Sequence, residues 1–196
     1  MKFVEPIRDI KKISQIKNQL KWENKIRDLL LFELWINSAL RISDLLEIKV
    51  KDLFDDNLNA NSFFDIKEEK TSKYNRITIT PKVKITLKSY KEKYDWILND
   101  NQNYIFFNSK KSPIWKYSIW RKQTWVFMSN LCKWVWLKWN FWNHTLRKTW
   151  WYQARKQWIP LEIIQHKLNH SSLTVTQRYL WITADEIEEA CNRLDL

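Results

Sequence analysis

The chain has 196 residues, a length typical of one domain with a sizeable core, although a second small domain would also fit. Its 34 lysines and arginines exceed its 22 aspartates and glutamates, which gives a net charge of +12. This excess favours a polyanionic partner, nucleic acid before a membrane surface, because no long apolar run or amphipathic anchor is present. Charge alone does not exclude a basic protein with no such partner.

The cysteine content predicts a reducing compartment. Cys132 and Cys191 are the only cysteines, and no signal peptide precedes them, so we expect a cytoplasmic protein. Both lie in helical patterns and are expected to be buried rather than reactive.

The composition contains no glycine beside fourteen tryptophans. Glycine usually makes up about 7% of the residues of a protein, and in this chain tryptophan makes up that share instead. Trp158, in KQWIP, follows a helical run where a helix-ending glycine is expected. Trp134, Trp136, Trp139 and Trp142 crowd a short polar connection. We predict that most of the tryptophans are glycines in the organism, whose UGA codons have been translated as tryptophan. The alternative is a truly tryptophan-rich protein.

The N-terminal part of the chain predicts helices. Apolar spacing indicates an amphipathic helix over residues 6–20 and a stronger one over residues 23–38. Ser43 or Asp44 can open a third helix in NSALRISDLLEIKVKDL. Arg41 lies at the junction of the second and third helices. The local pattern there favours an ordinary surface arginine over one that is aimed at a ligand.

The middle of the chain predicts a small sheet. SFFDI and RITIT are β-rich runs joined by KEEKTSKYN, which indicates an antiparallel hairpin with Lys70 before its turn. Pro81 then opens a helix that extends to Tyr94, and YIFF is a short apolar strand or buried segment. Further helices are predicted over residues 119–133, 143–157, 160–167, 173–180 and 183–194. The fold class is therefore α+β, mostly helical, with one small antiparallel sheet.

Residues suited to phosphate chemistry gather in the stretch NHTLRKTWWYQARKQWIPLEIIQHKLNHSSLTVTQRYLWIT, residues 143–183. His144 and Arg147 are three residues apart, so on a helix they share a face and can reach one ligand. Arginine is a rigid fork of donors that suits a phosphate, and histidine adds a donor or a proton. Tyr179 is a candidate nucleophile. Together with His170, these residues predict phosphoryl transfer through a tyrosyl intermediate.

The motifs HTLRKT, KLNHSS and TQRYLWI resemble conserved boxes of the tyrosine recombinase (phage integrase) catalytic domain. ALRISDLLEIKVKDL is similar to the family's first conserved box, and EEKTSKYNRITI is similar to its β-hairpin lysine segment. The motifs occur in the family's order from about Leu31 onward. The resemblance implies a tyrosine-recombinase catalytic fold in a single domain over residues 1–196. Fewer than forty residues precede the box that begins at Ala39 and contains Arg41, so we expect the family's N-terminal core-binding domain to be absent.

The chain departs from the family pattern at four positions, which are Ala39, Asp44, Lys148 and Asn169. The family usually has glycine at the positions of Ala39 and Asn169 and glutamate at the position of Asp44. It often has histidine at the position of Lys148. None of these departures removes a functional group. Trp35, Trp158 and Trp181 also fall where the family commonly has glycine, which strengthens the prediction about UGA codons.

The resemblance implies that Tyr179 is the nucleophile that attacks a DNA phosphodiester. The attack would form a 3′-phosphotyrosyl bond and free a 5′-hydroxyl. Arg41 and Arg147 would hold the non-bridging oxygens and stabilise the charge of the pentavalent transition state.

The resemblance assigns proton transfer and further phosphate contact to three other residues. Lys70 would protonate the leaving 5′-oxygen, although Lys67 and Lys73 lie close to it in the hairpin. His144 would assist proton transfer as a base toward the tyrosine. His170 would donate a hydrogen bond to the scissile phosphate, and the alternative is that it caps the helix beginning near residue 171.

Neither ATP nor a metal is implied, because the phosphoester energy is conserved in the protein–DNA bond. The histidines His144, His166 and His170 do not form a tight, acid-rich ligand pattern, so no cofactor is expected. His166 matches no active-site motif and is assigned a structural role.

These observations predict a site-specific DNA recombinase that acts on double-stranded DNA. We expect a homo-oligomer, a tetramer on DNA, with accessory DNA-bending proteins as further candidate partners and no membrane association. The sequence does not choose among integration, excision, inversion and dimer resolution. One alternative is a non-catalytic DNA-binding accessory protein, against which the complete set of site residues argues. Another is a DNA-relaxing enzyme similar to type IB topoisomerases.

Overall fold

The computed structural model describes residues 5–137 and 144–169, together with residues 172, 188, 191, 192 and 194. Its named elements are, in chain order, α1 Ile10–Trp22, α2 Ile26–Ser38, α3 Ile42–Leu46, α4 Val50–Leu53, β1 Phe63–Lys67, β2 Tyr74–Thr78, α5 Pro81–Lys93, α6 Arg121–Trp134, α7 Thr145–Lys156 and α8 Leu161–Lys167. The predicted α+β class, mostly helical with one antiparallel hairpin, is confirmed. None of the described helices is both long and apolar enough to cross a membrane. The helices predicted over 173–180 and 183–194 lie wholly or mostly outside these residues.

Helix α2 is the centre of the core. It buries residues on nearly every face, including Leu30, Phe32 and Trp35, and a helix that is apolar all round belongs in a protein interior. It packs against α1, α5 and α7. The C-terminal end of α2 therefore lies within the packed interior, and the chain leaves it directly into the segment that carries Arg41.

Two helix starts show how local capping fixes the boundaries. The carboxylate of Asp9 accepts a hydrogen bond from the Lys11 N–H at 2.8 Å, so α1 begins at Ile10 and not at Pro6 as predicted. Helix α5 begins at Pro81 as predicted, because proline suits the first turn, where no intrahelical N–H bond is needed.

The predicted hairpin is present, with β1 and β2 antiparallel. Ile66 lies opposite Asn75, and Ile77 is buried on the same side of β2 as Asn75. Strand β2 begins at Tyr74, earlier than the RITIT run at Arg76. An asparagine therefore faces inward where an apolar residue is the rule, and a buried amide needs a hydrogen-bond partner.

The YIFF segment is buried, as predicted. Ile105 and Phe106 are fully inaccessible to solvent, and the Tyr90 hydroxyl donates a hydrogen bond to the Ile105 carbonyl at 2.6 Å.

The prediction for the cysteines is half right. Cys132 is buried, and burial raises the pKa of its thiol to about 12, so it is inert. Cys191 is exposed, which contradicts the expectation of burial.

Trp136 and Trp158 end their helices in the left-handed conformation, with φ of 56° and 59°. The Trp158 N–H bonds the Arg155 carbonyl at 2.8 Å and the Ile159 N–H bonds the Ala154 carbonyl at 3.1 Å, and α6 ends in the same way. This pair of bonds is the Schellman motif, whose left-handed residue is usually glycine. A residue with a Cβ loses about 1–2 kcal/mol there. The backbone thus favours glycine at both positions, as predicted for Trp158.

Other tryptophans occupy a different environment. Trp35 and Trp151 are buried within helices, and each indole Nε1 has no hydrogen-bond partner among the described residues. A buried donor without a partner costs about 1–3 kcal/mol. Their helical backbone does not itself require glycine, so the UGA prediction has its most direct structural support at positions 136 and 158.

We predict that Trp158→Gly and Trp136→Gly each raise the free energy of unfolding by about 1 kcal/mol, because glycine relieves the left-handed strain. Little packing is lost, since the two side chains are 76% and 84% exposed. Urea denaturation of the single variants measures the change.

Trp125→Gly is the matched control. Trp125 lies inside α6 and is 40% exposed, and glycine within a helix lowers stability by about 1 kcal/mol. The account is wrong if Trp158→Gly destabilises the protein as much as Trp125→Gly does. UGG codons at the tryptophan positions of the gene would refute the translation hypothesis itself.

Candidate active site

Arg41 lies in the turn between α2 and α3. Ala39 ends α2 with a left-handed φ of 56°, and Arg41 takes the N-cap position of α3. Its side chain is only 17% exposed, and its Nη1 forms an ion pair with the Glu68 carboxylate. The expectation of an ordinary surface arginine is therefore wrong, because a carboxylate from the hairpin holds the guanidinium against the protein.

Arg147 is buried in the first turn of α7, with only 3% of its surface exposed. Its Nη1 donates to the Ala39 carbonyl at 2.5 Å, and its Nη2 donates to the Leu168 carbonyl at 2.6 Å. One guanidinium thus joins the end of α2 to the end of α8. These bonds fix the side chain and place its charge next to the Arg41 turn.

His144 is the N-cap residue of α7, three positions before Arg147, so the predicted spacing holds at a helix start. Partial burial lowers the pKa of His144 from its ordinary value of 6.5, and the nearby positive charges of Arg147, Arg41, Lys148 and Lys70 lower it further. The imidazole is therefore neutral at pH 7 and able to accept a proton.

Lys70 lies in the turn that joins β1 and β2 and is exposed. Its charge lowers the pKa of His144, which means that the hairpin turn reaches the start of α7. Arg41, Lys70 and Arg147 therefore lie within electrostatic reach of His144, so four of the residues predicted for the site are near one another. They come from three parts of the fold, which are the α2–α3 turn, the β1–β2 turn and the start of α7.

The buried carboxylate of Glu68 joins several of these parts. Its side chain is fully inaccessible, and besides Arg41 it bonds two amides. Its Oε1 accepts from Asn75 Nδ2 at 2.8 Å and from Asn169 Nδ2 at 2.7 Å. Removing a carboxylate from water costs several kcal/mol, so such a group persists only when paired and hydrogen-bonded. These three donors meet that condition.

Asp44 connects α3 to the hairpin. It is buried, and its Oδ1 accepts a hydrogen bond from the Glu69 N–H at 3.0 Å. Burial raises the pKa of the Asp44 carboxyl. The bond holds the β1–β2 turn, and with it Lys70, against α3.

Lys167 lies at the edge of the same network. Its Nζ donates to the Arg76 carbonyl of β2 at 3.0 Å. Burial lowers the pKa of Lys167 to about 8, an effect that Glu68 opposes and Arg147 reinforces. At pH 7 the amine still carries most of its charge and adds to the positive potential around the site.

Sequence reasoning missed Glu68, Asn75, Asn169 and Lys167. A Glu-Glu pair beside a hairpin turn has the pattern of solvated residues, so no local signal indicates that Glu68 is buried. Asn75 carried the one usable signal, because a polar residue at an inward position of a strand needs a buried partner.

Two predicted site residues, His170 and Tyr179, lie outside the residues that the structure describes. Their roles stay predictions. His166 is exposed in the last turn of α8. Within the described ranges, no three histidine, cysteine, aspartate or glutamate side chains are grouped so that they could hold a metal ion.

Residues 8–186 match the family model described as the phage integrase family. The chain belongs to the phage integrase family. It is 35% identical over 191 residues to the probable integrase/recombinase YoeC of Bacillus subtilis, and the match covers 97% of this chain and 96% of that protein. Tyrosine recombinase XerA of Pyrococcus furiosus is 28% identical over 174 residues, and the match covers 89% of this chain and 57% of that protein.

Solved structures of integrase-family recombinases share the fold. The post-cleavage complex of XerH site-specific recombinase with palindromic difH substrate superposes with a TM-score of 0.78 at 17% identity, covering 98% of this chain and 53% of that one. The crystal structure of XerA recombinase gives a TM-score of 0.72 at 15% identity and covers 98% of this chain and 65% of that one. The chain thus spans nearly all of the Bacillus relative and between half and two thirds of these others.

We predict that Lys70→Ala raises the pKa of His144 toward 6.5, because it removes a charge that disfavours the imidazolium. A histidine NMR titration of the wild type and the variant measures both values. The wild-type resonance should titrate below 6.5, so the neutral form predominates at pH 7. Since the folded pKa lies below the unfolded one, acidification through this range also costs stability.

Lys82→Ala is the control for that titration. Lys82 is an exposed lysine that lines a groove between α1, α2 and α5. Its removal should leave the His144 titration unchanged. Two results would contradict the inferred effect of nearby charges on His144. One is a wild-type pKa above 6.5, and the other is an equal change of the pKa in both variants.

Proposed function

We propose that this protein is a site-specific DNA recombinase that cleaves and rejoins DNA strands through a 3′-phosphotyrosyl intermediate. The observation that carries the proposal is the convergence of Arg41, Arg147 and Lys70 on a neutral His144, in a chain that matches the integrase family over residues 8–186. Cationic donors bind the phosphate, and a neutral imidazole can take a proton from the attacking group.

In the proposed reaction the Tyr179 hydroxyl oxygen attacks the phosphorus of a DNA phosphodiester. The bond from phosphorus to the 5′-oxygen breaks as the tyrosyl–phosphorus bond forms. His144 accepts the phenolic proton, and Lys70 donates a proton to the departing 5′-oxygen. Attack of a 5′-hydroxyl on the phosphotyrosine reverses each transfer and rejoins the strand, so no external energy source is consumed.

The arginines and His170 would act on the non-bridging oxygens. Arg147 is already fixed by two carbonyls, and Arg41 is held by Glu68, so both guanidinium groups are oriented before substrate arrives. Preorganised donors stabilise developing charge without reorganisation during the reaction. Loss of one such donor costs about 100- to 1000-fold in rate in other enzymes.

DNA is the proposed substrate. The similar structures include XerH bound to difH and the Tn1549 transposon integrase in complex with circular intermediate DNA. Beside Asp44, this chain has a groove of about 830 Å³ whose lining includes the exposed cations Lys67, Lys116, Arg121 and Lys122, together with the carboxylates Glu47 and Glu69. Cations along a groove bind the regularly spaced phosphates of a duplex without reading its sequence. We therefore assign this groove to the DNA backbone.

The proposed reaction also implies an assembly. Exchange between two duplexes requires four strand cleavages, and each protomer supplies one Tyr179. We propose a tetramer on DNA, with closed cyclic symmetry so that every protomer makes the same contacts. DNA-bending proteins that bring the two sites together would be its accessory partners.

We predict that the protein forms a denaturation-resistant adduct with a nicked suicide substrate, in which the released 5′ fragment diffuses away and the phosphotyrosine is trapped. Duplexes tiled across the DNA that flanks the gene are the probes. Tyr179→Phe should abolish the adduct and keep DNA binding, because only the nucleophilic oxygen is lost.

Tyr152→Phe is the matched control. Tyr152 lies on α7, where its ring contacts Trp151 and the Arg8 guanidinium, and phenylalanine keeps both ring contacts. This variant should form the adduct normally. Binding without any adduct would favour the accessory protein, and relaxation of supercoiled plasmids that carry no site would favour the topoisomerase-like enzyme.

A further inference from the structure

The contacts of Glu68 connect three segments that supply the site. Its carboxylate bonds Arg41 in the α2–α3 turn, Asn75 in β2 and Asn169 after α8. Asn169 immediately precedes His170 and has a left-handed φ of 55°. The amide of Asn75 also donates to the Lys167 carbonyl at 3.2 Å, so the same network holds the end of α8 twice.

The position of Glu68 within the hairpin is itself fixed. Its N–H donates to the Lys73 carbonyl at 2.9 Å, and its carbonyl accepts from the Ser72 N–H at 2.8 Å. The next N–H, that of Glu69, is bonded to Asp44. A carboxylate anchored at both its backbone and its oxygens has little freedom, so it fixes the direction of the group it binds.

An arginine held in this way keeps its capacity to bind phosphate. A guanidinium has five N–H donors in a planar fork, and Glu68 engages Nη1. Donors remain for a non-bridging oxygen, and the carboxylate fixes the plane in which they point. Without that anion, Arg41 would rotate about its side-chain bonds and lose rotamer entropy when it bound the phosphate.

We propose that Glu68 is a positioning residue of the strand-cleavage reaction, which orients Arg41 and the α8 end that leads to His170. The proposal rests on the proposed function, since it names how that site is aligned. It differs from a purely structural role in one respect. A structural carboxylate affects stability, whereas a positioning one affects the cleavage rate only as long as Arg41 is present.

Glu68→Gln tests the proposal, with Glu69→Gln as the matched control. Both variants remove one negative charge from neighbouring positions, but the Glu69 side chain is exposed, whereas that of Glu68 is fully buried and paired with Arg41. With wild-type and variant protein on the suicide duplex, Glu68→Gln should slow adduct formation about 10- to 100-fold, because small displacements of catalytic groups have effects of that size. The affinity of Glu68→Gln for DNA should change less than about threefold, which is well below the expected change in cleavage rate. Once it is bound to DNA, Glu69→Gln should cleave at the wild-type rate.

A double-mutant cycle separates positioning from structure. Arg41→Ala alone should slow cleavage strongly, and Arg41→Ala with Glu68→Gln should be no slower, because residues that act through each other are not additive. Glu68→Asp, which keeps the charge, should recover part of the rate that Glu68→Gln loses. Rate losses that multiply in the double variant, or a wild-type rate in Glu68→Gln, would overturn the proposal.

A measurement without DNA keeps the two proposals distinguishable. Phenylglyoxal modifies accessible guanidinium groups, and mass spectrometry follows Arg41 modification in the free protein. The modification rate should rise several-fold in Glu68→Gln and stay unchanged in Glu69→Gln. Because this measurement requires no cleavage, it tests the positioning role even if no variant cleaves DNA. If wild-type protein forms no adduct, the proposed function fails. If Arg41 reactivity is the same in all variants, the positioning role fails.

Discussion

The candidate site depends on the buried ion pair between Glu68 and Arg41. A carboxylate with no exposed surface is unfavourable unless its oxygens are fully used, and here a guanidinium and two amides use them. Each donor comes from a different segment, so satisfying one carboxylate brings the α2–α3 turn, the hairpin and the end of α8 together. Arg147 makes a second connection by bonding Ala39 and Leu168. Glu68 and Arg147, which are among the most deeply buried charged residues in the described ranges, thus both connect separate segments of the site.

The surroundings of His144 favour its neutral form. Partial burial has the largest effect in lowering its pKa, and positive charges that suit a phosphodiester lower the pKa further because they disfavour an imidazolium. A neutral imidazole can accept the proton of an attacking tyrosine, which a charged one cannot. The cations near His144 would thus both suit a phosphate and help to keep the imidazole neutral, in a chain that belongs to the phage integrase family.

Much of this could be predicted from the sequence, and the misses have physical causes. Periodicity and capping predicted the hairpin and most of the helices, because those signals are local. The sequence also predicted glycine-like geometry at Trp158, which has a φ of 59°. Ala39 and Asn169 have left-handed φ angles too, which explains why glycine is usual at those family positions. The burial of Arg41 depends on Glu68, a residue 27 positions away, so no local pattern could reveal it.

The central claim is that neutral His144 accepts the proton of Tyr179 within this cluster of cations. The pH dependence of the single-turnover cleavage rate tests it most directly. We predict a rate that is level between pH 7 and pH 8 and falls below pH 6.5 as His144 becomes protonated, with the acid limb absent in His144→Ala. A rate that increases on acidification below pH 6.5, or an acid limb that persists unchanged in His144→Ala, would contradict the account.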